Sequence, residues 1–192
     1  MNPNNQSIRE SKPRMTTKEF NVDSEIITSQ HAELISKWID KLEITDDIRN
    51  MYEFKLLLRG SRDGFTSKTF HEICDNQSRT VTIIKVKGSK EILGGYNPIE
   101  WKSDNSYGIT SDSFIFSFKN PDNIEYILGR VKDEQHATYN HYDYGPSFGD
   151  GDLDLLGDHC SCDSLSWTYE YYIGGTIEKF LVEEYEVYQI NN

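Results

Sequence analysis

A hydroxyl, an imidazole and a carboxylate lie close together in the sequence at Ser61, His71 and Asp63, with Glu72 as a second acid. These groups are the components of nucleophilic hydrolysis, in which a base activates the serine and a carboxylate orients the base. The Gly-x-Ser-x-Gly turn that exposes the serine of many hydrolases is absent around Ser61. Proximity in sequence also does not establish that the imidazole reaches the hydroxyl. A Ser/His hydrolase therefore remains an alternative function, and we assign no catalytic residue.

Three cysteines, Cys74, Cys160 and Cys162, offer thiol or metal chemistry. Two cysteines separated by one residue, next to His159 but without a second pair, fall short of a structural zinc pattern. An exposed thiol beside a histidine can oxidise reversibly, so a cysteine-based peroxide scavenger is a second enzymatic alternative. The carboxylates that flank this pair disfavour the reactive thiolate. Cys74 is predicted to be a small buried hydrophobic residue.

An acidic stretch, Asp150-Gly151-Asp152-Leu153-Asp154, has the alternating carboxylates of a calcium-binding loop. An EF-hand loop requires glycine at its sixth position and glutamate at its twelfth, which here is Ser161. The pattern excludes an EF-hand and leaves a weak cation site as the alternative to a solvated turn that leads into a strand. We expect no metal and no cofactor.

The segment Arg59-Gly60-Ser61-Arg62-Asp63-Gly64-Phe65 follows an apolar strand pattern and is typical of a tight corner. Its glycines permit positive φ or close backbone approach, and its serine and aspartate can bond nearby amides. A helix is predicted to begin at Thr66 as N-cap, with Phe65 packing against Phe70 as a hydrophobic staple. Arg62 and Asp63 are expected to pair. The Gly94-Gly95-Tyr96 segment is interpreted as a bulge or bend in a strand, because no phosphate-binding glycine motif surrounds it.

One amphipathic helix precedes these motifs. Apolar residues recur at helical spacing from Ser29 to Leu42, with Thr28 or Ser29 available as N-cap. The chain then shows strand patterns at residues 54–59, 80–86, 113–119, 125–131, 152–156 and 181–190.

Strict alternation in the third of these strands places Phe114, Phe116 and Phe118 on one face, where they should form a wall of the core. Asn120-Pro121-Asp122 is predicted to turn the chain into the next strand. Because these strands follow one another without intervening helices, antiparallel pairing is expected. The fold class predicted is α+β, a two-sheet antiparallel β-sandwich with flanking helices.

Length and charge limit the remaining function classes. The 192 residues suit a disordered N-terminal tail at 1–23 and one folded domain at 24–192. Lys and Arg number 20 against 32 Asp and Glu, and the net charge of −12 excludes a nucleic acid partner. A basic patch on another protein is a better electrostatic match. The sequence shows neither a signal peptide nor a long apolar run, so we expect a cytoplasmic protein without membrane insertion.

Several of these segments together resemble a TLDc domain, the family that includes the oxidation-resistance proteins. The matching segments occur in the family's order at residues 52–65, 70–76, 94–96, 101, 144–149 and 182–187. They contain Phe70, His71, Gly94, Gly95, Tyr96, Trp101, Gly145, Pro146, Phe148 and Gly149 in addition to the corner at 59–65.

The resemblance implies a sheet sandwich with helices and a role in resistance to oxidative stress. It also implies a protein partner, the peripheral sector of the V-ATPase, and no agreed active site. The contact surface would then be the loops at 60–65 and 144–154. Fungal-type relatives join this domain to a BTB adaptor domain, so an adaptor fragment of a BTB/TLDc protein is a further alternative. The acidic loop at 148–152 departs from relatives that carry more glycine there.

Overall fold

The structure, a computed structural model, describes residues 21–48, 52–120, 125–174 and 179–192. Within these ranges the helices are α1 (Ser29–Ile39), α2 (Gly60–Asp63), α3 (Ser67–Cys74) and a 3-10 helix at Glu134–His136. The strands are β1 (Glu53–Arg59), β2 (Thr80–Val86), β3 (Ile92–Asn97), β4 (Tyr107–Gly108), β5 (Phe114–Asn120), β6 (Glu125–Arg130), β7 (Thr138–Tyr139), β8 (Ser147–Phe148), β9 (Leu153–Leu156), β10 (His159–Ser161) and β11 (Lys179–Asn191). None of these helices is long and apolar enough to cross a membrane.

Two sequence predictions fall largely outside the described residues. The predicted tail at 1–23 is described only from residue 21, and the predicted turn Asn120-Pro121-Asp122 is described only at Asn120. The six predicted strands are present with small shifts at their ends. The segment of β3 was expected to be a strand with a bulge or bend, and the two- and three-residue strands were not predicted. Strands this short carry too few residues to show an alternating pattern.

All pairs between these strands are antiparallel. The order is β4-β7-β8-β9-β10-β11-β2-β3-β5-β6, and β1 also pairs with β11. The β-rich α+β class is thus confirmed, but the predicted division into two sheets is not, because the strands form one curled series. The physical reason is the length of β11, whose 13 residues pair with β10 at one end and with β1 at the other.

One face of the strands β1, β11, β2, β3 and β5 is covered by α1. The indole of Trp38 on α1 lies 5.4 Å from the Phe116 ring and 5.7 Å from the Phe118 ring, centroid to centroid. Phe114, Phe116 and Phe118 are fully buried, which confirms the predicted phenyl wall. Removing each such ring from water contributes on the order of 1.5–3 kcal/mol, so this contact fixes α1 on the sheet.

The opposite face of the same strands faces the second half of the curled sheet. Residues of β2 and β5, such as Ile84 and Ile115, share a buried cluster with Phe148 of β8 and Leu155 of β9. Alternation along β5 therefore buries both of its faces, one against a helix and one against strands.

Candidate functional site

β1 passes into α2 through a corner at Gly60, where a side chain would be crowded by its neighbours. A Cβ there would lie 2.7 Å from the Phe65 ring and 2.9 Å from Glu184 Oε1. At the other end of α2, Gly64 has a φ of 111°, a conformation that side chains disfavour. The two glycines of the motif thus serve the two purposes the sequence suggested, close approach at one and positive φ at the other.

A buried carboxylate on β11 binds the side chain of Arg59, the first residue of the corner. Glu186 is 0% exposed, and its oxygens accept from Arg59 Nε at 2.8 Å, Ser24 Oγ at 2.5 Å, Tyr188 OH at 2.7 Å and the Glu25 amide at 3.0 Å. Four donors are enough to offset the desolvation of one carboxylate. Burial acts to lower the pKa of Arg59, but its hydrogen bonds to Glu186 and Asp23 outweigh this and raise it.

A second glutamate of β11 fixes the start of α2. Glu184 is 7% exposed, and its Oε1 accepts from the Ser61 amide at 3.0 Å and from the Tyr185 amide at 2.9 Å. The first amides of a helix have no partner within the helix, and a carboxylate here satisfies one of them. Ser61 is therefore held by its backbone while its side chain faces solvent.

Asp63 closes the corner on the outer side. Its Oδ2 accepts from the Arg59 amide at 2.9 Å, and the Arg62 guanidinium donates to both carboxylate oxygens, with Nη2 at 2.7 Å from Oδ2. The hydrogen bond from Arg62 is the main cause of the lowered pKa of Asp63. The predicted pairing of Arg62 and Asp63 is confirmed, and Arg62 also donates to the Leu57 carbonyl.

The helix α3 begins as predicted, because Thr66 Oγ1 accepts from the Thr69 amide at 3.1 Å. The ring of Phe65 lies 5.6 Å from the ring of Tyr185, and Phe65 packs on the same buried cluster that contains Phe70. The corner is therefore joined to α3 and to β11 through aromatic contacts.

His71 on α3 connects the corner region to the loop before β8. Its Nδ1 lies 2.8 Å from Asp75 Oδ1, and its Nε2 lies 2.9 Å from the Tyr144 carbonyl and 3.2 Å from the His141 carbonyl. Both ring nitrogens face oxygen atoms of the protein, so the imidazole is not placed to take a proton from Ser61. The geometry gives this histidine a positioning role.

The other motif residues named from the sequence lie in the interior. Trp101 donates its indole N–H to Thr80 Oγ1 at 2.7 Å and stands edge-on to the rings of Phe70 and Phe148, at 5.4 and 5.5 Å. The buried members of the set are Gly60, Phe70, Gly94, Gly95, Tyr96, Trp101, Gly145, Pro146, Phe148 and Gly149. Arg59, Asp63, Gly64, Phe65 and His71 are half-buried, and only Ser61 and Arg62 are exposed.

Gly94 and Gly95 were interpreted as a bulge or bend, and the structure contradicts this. β3 pairs with β2 and β5 in continuous register through both residues. A Cβ at Gly94 would lie 2.3 Å from the Thr82 carbonyl oxygen, and one at Gly95 would lie 2.6 Å from the Phe148 ring. The glycines serve close packing on the two faces of a regular strand.

Two of the three carboxylates in the acidic stretch at 150–154 are buried and accept hydrogen bonds inside the molecule. Asp152 is 2% exposed and accepts from the Thr168 and Tyr169 amides at 3.2 and 3.1 Å. Asp154 accepts from Ser147 Oγ, and burial raises the pKa of Asp154 to about 6. The expected solvated turn is therefore correct only for Asp150. In the part of the chain that the structure describes, no group of three or more His, Cys, Asp or Glu could hold a metal ion.

The thiols lie inside the molecule. Cys74, Cys160 and Cys162 are free and buried, at 0%, 1% and 1% exposure. Burial raises the pKa of Cys74 to about 12 and that of Cys160 well above its ordinary value. Since the thiolate is the reactive form, the geometry does not favour peroxide chemistry at these positions.

Sequence reasoning missed the residues that hold the corner in place. Glu184 and Glu186 belong to a segment that carried the family resemblance, but their burial was not predicted. The available signal was the presence of two carboxylates two residues apart among the apolar residues at 180–190, since such residues share one face of a strand.

Comparison with known proteins identifies the family of the chain. No curated protein matches the chain. The family model of the TLDc domain matches residues 20–191, which include the corner, the buried glycines of β3 and the carboxylates of β11. The chain therefore belongs to the TLDc domain family.

Proposed function

We propose that this chain is a non-enzymatic protein-interaction domain that supports resistance to oxidative stress, the process with which its family is generally linked. The observation that carries the proposal is that buried and half-buried polar side chains fix surface loops, through hydrogen bonds to backbone groups and to the Arg59 side chain. Glu184 and Glu186 hold the corner at 59–63, and His71 holds the carbonyls of the 141–144 loop. Loops that are fixed in advance lose little conformational entropy on binding a partner.

The enzymatic alternatives find less support. The imidazole of His71 is engaged by Asp75 and by two backbone carbonyls, and the thiols of Cys160 and Cys162 are buried. A catalytic base must reach the proton that it removes, and a reactive thiol must be accessible. Neither condition is favoured by the positions of these groups.

The partner we propose is the peripheral sector of the V-ATPase, which the chain would bind and regulate in the cytoplasm. This part of the proposal rests on membership of the TLDc domain family. The contact surface would include the exposed face of the corner, where Ser61 and Arg62 point to solvent, and the loop at 144–154, where Asp150 does so.

The test is affinity purification of the tagged chain from cell lysate, with and without ATP, followed by mass spectrometry. We expect recovery of V-ATPase peripheral subunits with the wild-type chain and their loss with Ser61→Arg. Ser61 is exposed and held only through its backbone amide, so this change alters the surface and leaves the carboxylate contact intact. The matched control is Ser89→Arg, which places the same side chain in the exposed turn between β2 and β3.

Recovery that depends on Ser61 but not on Ser89 supports the proposed partner and surface. If neither the wild-type chain nor a variant retains a pump subunit, while the chain still protects cells against peroxide, the proposed partner is wrong. If the pure chain consumes peroxide, the non-enzymatic assignment is wrong.

A further inference from the structure

The negative charge of this chain is concentrated in one stretch. Residues 133–178 contain ten Asp and Glu and no Lys or Arg, whereas the other 146 residues contain 22 acidic and 20 basic side chains. A formal charge of −10 out of −12 thus belongs to these residues. They include β7 to β10, so the charge lies mainly on one half of the curled sheet.

The same stretch exposes large apolar side chains in a loop at residues 163–171, here called the aromatic loop. Leu165, Trp167 and Tyr171 are 65%, 60% and 58% exposed. The other two tryptophans, Trp38 and Trp101, are 3% and 1% exposed. Aromatic residues that face solvent in a cluster with other apolar residues are typical of a contact surface.

The backbone of the aromatic loop is fixed from the inside. The Thr168 and Tyr169 amides donate to the buried carboxylate of Asp152, at 3.2 and 3.1 Å. Tyr169 is fully buried, and its hydroxyl donates to the Ala137 carbonyl at 2.6 Å. Trp167 therefore directly precedes two residues whose backbone is held by hydrogen bonds. Its side chain is exposed although the backbone beside it is fixed.

The loop runs beside the end of β6, where two cations donate hydrogen bonds to carbonyl oxygens. Arg130 Nη2 donates to the Trp38 carbonyl at 3.0 Å, and Lys132 Nζ donates to the Ser166 carbonyl at 2.6 Å. The loop itself carries the acids Asp163 and Glu170 and no basic residue. The exposed side chains of the loop itself thus combine apolar and negatively charged groups.

We propose that the aromatic loop is a docking surface for a basic segment of a protein partner, in which Lys or Arg side chains lie next to apolar ones. The apolar side chains would pack against Leu165 and Tyr171, and a cation would lie over the Trp167 ring, held by the negative field. A nucleic acid, an anionic membrane or a second copy of this chain would be repelled by the same field. The inference deepens the proposed function, because it rests on the chain acting through protein binding.

The test measures the affinity of the whole chain for a fluorescently labelled peptide of alternating Arg and Leu, by fluorescence anisotropy. A matched peptide carries citrulline in place of Arg, which keeps the shape and removes the charge. We expect saturable binding of the Arg peptide that weakens as NaCl rises from about 50 to about 300 mM, with little binding of the citrulline peptide.

Variants locate the surface. Trp167→Ala should weaken binding about tenfold or more, as for a central aromatic contact, whereas Ile44→Ala should not, although Ile44 is 51% exposed. Glu170→Lys should weaken binding severalfold. Glu53→Lys changes the net charge equally at an exposed position on β1, and we expect it to have a much smaller effect.

Equal binding of both peptides, or unchanged affinity after Trp167→Ala, would overturn the proposal. So would Trp167-dependent dimerisation in sedimentation, or Trp167-dependent binding to anionic vesicles. Recovery of V-ATPase subunits is scored separately. Pump recovery without peptide binding refutes only the docking surface, and Trp167-dependent peptide binding without pump recovery refutes only the named partner.

Discussion

The ring of Phe148 lies so close to the backbone of Gly95 that a Cβ on this glycine would come within 2.6 Å of it. Phe148 belongs to β8 and Gly95 to β3, so the contact joins the two halves of the curled sheet. Trp101 packs edge-on against the same phenyl ring. Three motif residues that are distant in the sequence are thus one packing unit.

Gly95→Ala should destabilise the protein by about 1–3 kcal/mol, because the added methyl group overpacks against a ring that is itself enclosed. Urea unfolding followed by tryptophan fluorescence measures the change. Phe148→Leu in the Gly95→Ala background should recover part of the loss, since the smaller side chain makes room for the methyl group. Simple additivity of the two changes would show that the contact is not the cause.

Glu186→Gln should destabilise the protein by about 3–5 kcal/mol, because it removes the buried carboxylate that pairs with Arg59 and leaves this cation with the exposed Asp23 and Glu25. Glu183→Gln is the control on the same strand. Glu183 is exposed and its ion pair with Lys85 is in contact with solvent, so we expect a much smaller loss of stability than for Glu186→Gln. Comparable unfolding midpoints for the two variants in urea would contradict the assignment of Glu186 as the support of the corner.

Asp154 should contribute to the stability of the folded protein, and this contribution should decrease as pH rises. Burial raises the pKa of Asp154 to about 6 in the folded state, above its value in the unfolded chain. The folded state therefore binds the extra proton between about pH 4 and pH 6, and stability from this group is lost as pH rises through 6. The loss amounts to about 3 kcal/mol at pH 7, because the pKa is about 6 in the folded state and about 4 in the unfolded chain.

The Asp154→Asn variant separates the contribution of Asp154 from those of other carboxylates. Burial also raises the pKa of Asp152, whereas acids with a lowered pKa, such as Asp63 and Glu183, change stability with pH in the opposite direction. The variant should match the wild type in stability near pH 4 and exceed it near pH 7, in urea unfolding measured across this range. A difference between the two proteins that does not change with pH would refute the prediction.

The three thiols should react with a disulfide reagent far more slowly in the folded chain than in urea, because all three are buried and burial raises the pKa of Cys74 and of Cys160. Ser89→Cys supplies a positive control, an exposed thiol in the turn between β2 and β3. In cells, Cys160→Ala combined with Cys162→Ala should preserve protection against peroxide. Rapid labelling of the native wild type, or loss of protection in the double variant, would favour thiol chemistry.

Local sequence pattern was sufficient for elements whose partners are close in the chain. Alternation predicted which face of β5 carries Phe114, Phe116 and Phe118, and the N-cap at Thr66 followed from residue type. The ion pair of Arg62 and Asp63 could be predicted because the residues are neighbours. Such interactions depend on backbone geometry that a few residues define by themselves.

The sequence by itself determined the family, which residues share a face of each strand and of α1, and the excess of acidic residues. The tertiary structure alone decided that β11 joins two halves of one sheet, that Gly95 makes room for Phe148, and that Glu186 lies beneath Arg59. The physical reason is that burial and pairing across β-strands depend on contacts between segments far apart in the chain. Periodicity shows which side of a strand a residue occupies, but it does not show what covers that side.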